Sequence, residues 1–393
     1  MRAMRAGLLL TLMVLACGVA RAADPFRIDL ATNGASGSRG FTSLEAAINT
    51  IDNAGFQSIV GAYTPTAAAI ANVNLRGIAA IASFDANSPV LRVIVPGAGI
   101  DRSFAGATRD DSGRLFLRWL QGQGNDEVNR LLRYGVRSTG ADPVAGNPAS
   151  AMNQFVASDF NRSLAAATGE RAGGFGLGVR FGSFTAGGFR TQALSVPLDY
   201  SWQLSPDDVL QVDAPFAWSD TEGARSYAGN IGVLWRRRMT ENWTLQPSFR
   251  IGGVGSIDLG AGSGVWSVGL NSTLRLDLPA ELRLTIANAI SHVATIPFSI
   301  GRYQIDYNIG NTVFRNGLVL GRDLGIEVAG LALRGNVFVI DTRFTGDAVY
   351  IRSYQEFGAF VSVGQDNLGG VGVTFLTGAR GARGLSFNMG VKF

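Results

Sequence analysis

From about Gly174 to Phe393, apolar and polar residues take strict turns in run after run. In "GLSFNMGVKF", Leu385, Phe387, Met389, Val391 and Phe393 share one parity, while Ser386, Asn388, Gly390 and Lys392 share the other. Successive side chains of a strand point to opposite faces, so each such run reads as a strand with one dry and one wet face. "WTLQPSFRIG" and "LSVPLDYSW" repeat the pattern. The candidate strands are 174–186, 190–203, 208–218, 225–238, 242–253, 262–277, 281–293, 308–322, 325–341, 350–364, 368–377 and 383–393. That even count of antiparallel strands suits a bacterial single-chain transmembrane barrel.

The connections support the same reading. Every second one is short and polar: Leu204-Ser205-Pro206-Asp207, Met239-Thr240-Glu241, Leu278-Pro279-Ala280, Gly321-Arg322-Asp323-Leu324 and Gln365-Asp366-Asn367. The others vary, the longest running from Ala294 to about Tyr307. Short periplasmic turns alternating with longer outer loops are the habit of outer-membrane barrels. Aromatic rings collect where a barrel meets the lipid headgroups. Trp202, Trp235 and Trp243 fall beside the short turns, Trp218 and Trp266 near the opposite ends, and Phe393 joins the periplasmic belt. A water-soluble β-sandwich also alternates, but it would not put aromatics at both ends of its apolar rows and arginines on the opposite face. Pro197, Pro215 and Pro247 each remove a ladder hydrogen bond and mark places where bulges are expected.

Upstream, "AGLLLTLMVLACGVA" follows Arg2 and Arg5 and precedes Ala20-Arg21-Ala22. It is too short to span a bilayer as a helix and has the form of an export signal over 1–22, cleaved after Ala22. A competing reading makes "VLAC" a lipid-attachment site at Cys17. Cleavage leaves no cysteine, which suits an oxidising compartment. It also removes three arginines, leaving 31 basic and 30 acidic side chains. A balance so near neutrality gives no nucleic-acid footprint.

Residues 23–170 read as a small α+β region, placed in the periplasm or partly inside the barrel, ahead of a barrel over 171–393. "TSLEAAINTIDNAG" reads as one helix, with Thr42 and Glu45 in a capping-box relation and Gly55 at its end. "NVNLRGIAAIASF" and "VLRVIV" read as strands. Further helices are expected at about 109–121, 125–134 and 148–160, the last with Asn147 as N-cap and Pro148 in its first turn.

With these features in place, the chain resembles the translocator of classical autotransporters, and more closely the solitary autotransporter-type outer-membrane β-barrels. "DPVAGNPASAMNQFVASDF", Asp142 to Phe160, resembles the segment that leads into such barrels. The resemblance implies assembly by the barrel insertion machinery, which reads the last strand and its terminal aromatic. The chain departs from the classical pattern in having no long repetitive β-helix passenger.

Signals for catalysis are weak. His292, in "NAISHVATIP", is the only histidine, and a Ser-His hydrolase at the barrel rim would have to use it. Val293, Ala294 and Thr295 follow it and Ser291 precedes it, which is not the partner set such an enzyme needs. No G-x-S-x-G elbow occurs. Asp213, Asp220 and Glu222 fall toward one outer loop, weakly compatible with calcium and better read as a solvated loop. No cofactor site, metal site or catalytic residue is expected.

The wet parity carries more. Arg180, Arg236, Arg238, Arg250, Arg275, Arg283, Arg315, Arg352 and Lys392 project inward with Asp199, Asp213, Asp277, Glu327 and Glu356. Either these charges pair across a narrow bore plugged by the upstream helix or region, or the arginine excess lines a path for small anionic solutes. The sequence therefore favours a non-enzymatic outer-membrane barrel in contact with lipid, with an occupied lumen and a structural or interaction role. An anion-preferring channel is the alternative, and a rim hydrolase a weaker third.

Overall fold

A computed structural model describes residues 24–123, 125–168, 173–300, 303–328, 330–364 and 368–393. The expected signal at 1–22, Cys17 and the turn at Gln365 to Asn367 lie outside the described residues.

The C-terminal part is a closed antiparallel barrel of twelve strands. In order they are Gly174–Ala186, Phe189–Val196 continued by Leu198–Gln203, Asp208–Asp213 continued by Phe216–Thr221, Ala224–Arg238, Trp243–Ser256 and Ala261–Asp277. Then follow Leu282–Ile296, Gly310–Val328, Leu331–Gly346, Ser353–Val363, Gly369–Gly378 and Arg383–Lys392. Pro197 and Pro215 divide the second and third strands, as their missing N–H groups require. Pro247 stays in its strand, but the ladder between the fourth and fifth strands is interrupted between Leu234↔Ser248 and Arg237↔Leu245, with the same register on both sides of the gap.

The exposed face is the apolar one. Leu385, Phe387, Met389 and Val391 are open, whereas Gly384, Ser386 and Lys392 of the opposite parity are buried. Phe181, Phe249, Ile251, Leu318 and Phe357 continue that outward belt. A water-soluble sandwich would bury these side chains, while a barrel in lipid must expose them. Among the described residues no helix is long and apolar enough to cross a membrane.

Closure comes from the last strand on the first, in register from Arg383↔Thr185 to Lys392↔Gly176. Beyond it the Phe393 N–H donates to the Phe175 carbonyl (2.8 Å) and the Phe175 N–H to the Phe393 carbonyl (3.2 Å). Deleting Phe393 strips both bonds from the seam together with an aromatic at the rim. Refolding into detergent is expected to give several-fold less heat-modifiable barrel, while Phe393→Tyr folds like the parent. Equal yields for the deletion would remove the seam role.

One hairpin differs from the sequence expectation. The turn expected at Gly321 to Leu324 is strand: the eighth strand runs on to Val328 and the ninth begins at Leu331. The ladder shifts between Asp323 and Glu327, where Gly325 adopts φ +65°, a bulge that lets the hairpin extend past the wall. Glu327 is exposed on this extension and not lumenal.

Residues 24–138 form a cap. Its antiparallel sheet has the spatial order Ala35–Phe41, Phe26–Thr32, Ala69–Leu75, Ile78–Phe84, Leu91–Val95, Ile100–Phe104. The expected strands within 72–84 and 90–95 are the hairpin and fifth strand of this sheet; the other three are additional. Phe26, Ile28, Phe84, Leu91 and Ile100 are fully buried against Leu44–Asn49, Arg109–Arg118 and Asn125–Ser138. The helices expected at 109–121 and 125–134 correspond to the last two of these.

The single helix read over 42–55 is two, Leu44–Asn49 and Asn53–Ile59. Ser43, not Thr42, caps the first by accepting from the Ala46 N–H, and the Thr42–Glu45 box is not formed. Asp52 caps the second through the Gly55 N–H (2.6 Å), while the Asn53 N–H bonds to Asp110. Side-chain acceptors thus replace the helical partners these N–H groups would otherwise find.

The cap packs on the barrel end opposite the tight turns. Leu44 donates its N–H to the Asp258 carbonyl (2.7 Å), Tyr350 to Val136 (2.8 Å) and Ile351 to Gly146 (3.2 Å). One apolar core runs from the sheet into the barrel mouth, joining Val136 and Val144 to Leu259, Val265, Val293 and Tyr307. The region is therefore neither at the tight-turn end nor mainly inside the wall.

Candidate functional site

The chain enters the bore through a buried segment. Every residue from 139 to 153 is buried. Gly140 is needed there, since a Cβ on it would lie 2.5 Å from that of Ala186, and Gly146 takes φ +92° against the Val136 carbonyl. Asp142, fully buried, is the hub. Its carboxylate accepts from the Val144 and Ala145 N–H groups (2.9 and 3.4 Å), from Arg76 of the cap (3.3 Å) and from the Tyr307 hydroxyl of the long loop (3.0 Å). Burial pushes the Asp142 carboxyl above the ordinary carboxylate range, with Arg76 opposing, and pushes the Tyr307 phenol well up. Tyr307 therefore stays a donor.

Asn147 closes this turn and does not cap the next helix. Its amide accepts from the Ala149 N–H (2.8 Å) and donates to the Asp142 carbonyl (2.6 Å). The helix expected at 148–160 is Ala151–Ala167, with Ser150 at its N-cap. It rests against the inward faces of the fourth to seventh strands. Phe160 and Leu164 pack on Ala287, Ala289, Val319 and Ile340.

Two charge clusters fix this helix to the wall. In the first, fully buried Arg250 donates from Nε (3.1 Å) and Nη2 (2.6 Å) to Asp159 of the helix, from Nη2 to Asp213 (2.8 Å), and from Nη1 to Asn230. Ser248 donates to the other Asp159 oxygen (2.8 Å). Arg162, one helical turn on, reaches Asp199 at 2.6 Å, and Lys392 meets the same carboxylate at 3.5 Å. In the second, Arg315 bonds Glu356 (2.6 Å) and the Tyr354 hydroxyl (2.8 Å), and its guanidinium lies 5.0 Å from the Phe160 ring centre. Tyr354 donates to Asn153 of the helix, and Arg180 approaches Glu356 at 3.7 Å.

The inward candidates thus divide. Asp199, Asp213, Arg250 and Lys392 meet in one cluster, and Arg180, Arg315 and Glu356 in the other. Arg236 and Arg275 are half-buried on the same parity. Arg238 pairs with Asp207 and Arg283 with Asp277 at the tight-turn rim, where the wet parity leaves the bore. Arg352 precedes its strand and is exposed at the capped rim. Asp159 and Arg162 escape a reading confined to strands, although two opposite charges three apart in an Ala-rich helix are a visible signal.

Beside the helix, toward the first to third and ninth to twelfth strands, a cavity of about 400 Å3 remains. Its charged lining is balanced, with Arg162, Arg180 and Lys392 against Asp199, Asp213 and Glu356.

On the outer surface Trp202, Trp235 and Trp243 are exposed near the tight turns. Trp235 donates to Asp208 (3.1 Å) and Trp243 to Ser272 (3.0 Å). Trp218 and Trp266 are half-buried nearer the capped end. His292 faces outward, 5.6 Å from Trp266 between ring centres and 3.4 Å from the Thr312 hydroxyl, whereas neighbouring Ser291 is buried on the opposite parity. Asp213 sits deep in the bore, away from Asp220 and Glu222 at the hairpin tip, so the loop trio does not assemble. No group of three or more metal-ligating side chains occurs among the described residues.

No protein-family model and no curated protein matches the chain. Among solved structures it is similar to the β domain of the Bordetella autotransporter BrkA, at 15% identity over 57% of this chain and 99% of that one, TM-score 0.43. It is also similar to the translocator domain of the autotransporter NalP from Neisseria meningitidis, at 13% identity over 62% and 97%, TM-score 0.40. A third likeness is to an outer-membrane channel from Pseudomonas putida F1, at 12% identity over 57% and 96%, TM-score 0.40.

Proposed function

We propose that the chain is a non-enzymatic integral outer-membrane barrel that anchors and presents its 24–138 domain, with the bore filled by Ala151–Ala167. The direction of that helix carries the reading. Its start meets Tyr354 and the loop below the cap, and Arg162 near its end meets the carboxylate shared with Lys392, beside the seam where the first strand begins. The chain runs down the bore and then turns into the wall. Short turns of such barrels face the periplasm, which puts the capped end outside. Lipid around the belt and the insertion machinery acting on the last strand are the partners this architecture calls for.

Protease added to intact cells is expected to attack the 24–138 domain while sparing the barrel, and the refolded protein is expected to show little steady conductance in a planar bilayer. A protected domain would reverse the orientation; a large open pore would end the occupied-lumen reading. The cavity beside the helix favours a second, lesser role as a narrow conduit. Its balanced lining weighs against the anion preference that the arginine excess suggests, so any residual current should reverse near zero potential in a salt gradient.

A further inference from the structure

At the capped rim, arginines from the wall, the loops and the cap converge on one sector. Arg383 opens the last strand on the outward parity of Leu385 and Phe387, and Thr185 lies beside it in register. Thr185 is in turn paired with Arg190 of the second strand. In the loop before Arg383, Arg380 donates to the Arg137 carbonyl of the cap helix Asn125–Ser138 (3.0 Å) and stacks on Tyr350 at 4.5 Å. Arg352 follows that tyrosine, and Arg343 lies in register with Ser353 next door. Arg137 and Arg133 continue the row along the exposed face of the cap helix.

The acids here are already engaged. Asp341 accepts from Arg343 (2.8 Å) and Gln355 (2.7 Å), Glu222 from the Arg190 backbone N–H (2.6 Å), and Asp347 from the Gly310 N–H (2.8 Å). Arg190, Arg352 and Arg383 make no side-chain hydrogen bond or ion pair among the described residues. Arg190 and Arg383 lie on the outward parity directly above an apolar, lipid-facing surface, with Arg352 exposed at the same rim. Guanidinium groups at that level meet the one layer of a bilayer that carries phosphate, and their planar forks suit phosphate oxygens.

We propose that this ledge binds the anionic, phosphate-bearing headgroups of the lipid leaflet level with the capped end, holding cap and wall to the membrane surface. The idea rests on the barrel's lying in lipid but on neither end's being outside, so it survives a reversed orientation.

Native mass spectrometry of the full chain in detergent, with equal phosphatidylglycerol and phosphatidylcholine, tests it. Wild type is expected to retain the anionic lipid about tenfold over the zwitterionic one, since each basic side chain near an anionic surface adds attraction. Arg190→Gln/Arg352→Gln/Arg383→Gln is expected to fall below about threefold on the same ground. Arg237→Gln/Arg322→Gln at the other rim should keep the preference. Folding is checked by heat-modifiable mobility, and Arg383→Gln alone, with a smaller loss, serves if the triple variant fails. Equal retention by wild type, an undiminished preference in the triple variant, or an equal loss in the opposite-rim control overturns the proposal. So does binding of dextran sulfate with no lipid preference, which would point to a soluble polyanion.

Discussion

Asp142→Ala is expected to loosen the cap from the barrel mouth by about 3–5 kcal/mol, the scale on which a buried ion pair is lost when one partner is removed. The carboxylate is the polar junction of three segments: Arg76 from the hairpin turn of the cap sheet, Tyr307 from the long loop and the turn at Val144 and Ala145. Its removal strands the buried guanidinium and leaves two backbone N–H groups without an acceptor. Limited proteolysis of the refolded protein should then cut within 139–150, and the cap should melt ahead of the barrel. Tyr307→Phe removes one hydrogen bond and should cost about 1 kcal/mol.

The pH dependence has an unusual sign. A carboxyl whose pKa is raised on folding binds more protons folded than unfolded, so its contribution to stability improves as pH falls through the interval between the raised and the unfolded values. Asp142 behaves this way because burial dominates. Asp29, Asp101 and Asp111 on the cap surface are held low by Ser38, Arg92 and Thr108 respectively, and they act in the opposite sense, losing their contribution on acidification. Asp142→Asn, which keeps an acceptor oxygen, should therefore make cap release more acid-sensitive than in the parent. If cap release in Asp142→Asn follows the parent's pH profile, Asp142 is not the titrating group at the hinge.

The wall was legible in the sequence because lipid enforces the simplest code available. One parity must be apolar along each strand, and the backbone must pair all the way round. The misplaced turn at Gly321 to Leu324 shows the limit of that code. A Gly-Arg-Asp run has turn composition, yet Gly325 and the neighbouring apolar residues let the hairpin continue beyond the membrane. The cap was harder. Its edge strand "ASGSRGF" has almost no apolar alternation, and it is strand because Phe26–Thr32 pairs with it. Asn147 carried an N-cap signal that the turn around Asp142 took for itself. Parity found the wall half of each lumen cluster but not Asp159, Arg162 or Asn153, since a strand pattern holds no information about what crosses the bore. Helix and wall meet only in three dimensions.

Arg250→Met is expected to unseat the lumen helix and to raise the steady conductance of the refolded barrel well above that of the parent. Among the described residues Arg250 is the only cation paired with Asp159, and it spans from that helix carboxylate to Asp213 on the wall. Without it Asp159 keeps only Ser248 as a side-chain donor, and Asp213 keeps Arg162 at 3.9 Å. Two buried carboxylates at close range with no shared cation destabilise the arrangement by about 3–5 kcal/mol, and withdrawing the helix into water relieves it. Frequent openings in a planar bilayer, with a lower unfolding temperature, are the expected readouts. Asp159→Asn should be milder, because Arg250 retains Asp213. Replacing the whole triad, Asp159→Leu/Arg250→Met/Asp213→Leu, should restore much of the closure, as apolar substitutes for buried ionic triads commonly do. A silent Arg250→Met barrel would assign the seating of the helix to Phe160 and Leu164 against Ala287, Ala289, Val319 and Ile340, and leave the charges to set only its rotation.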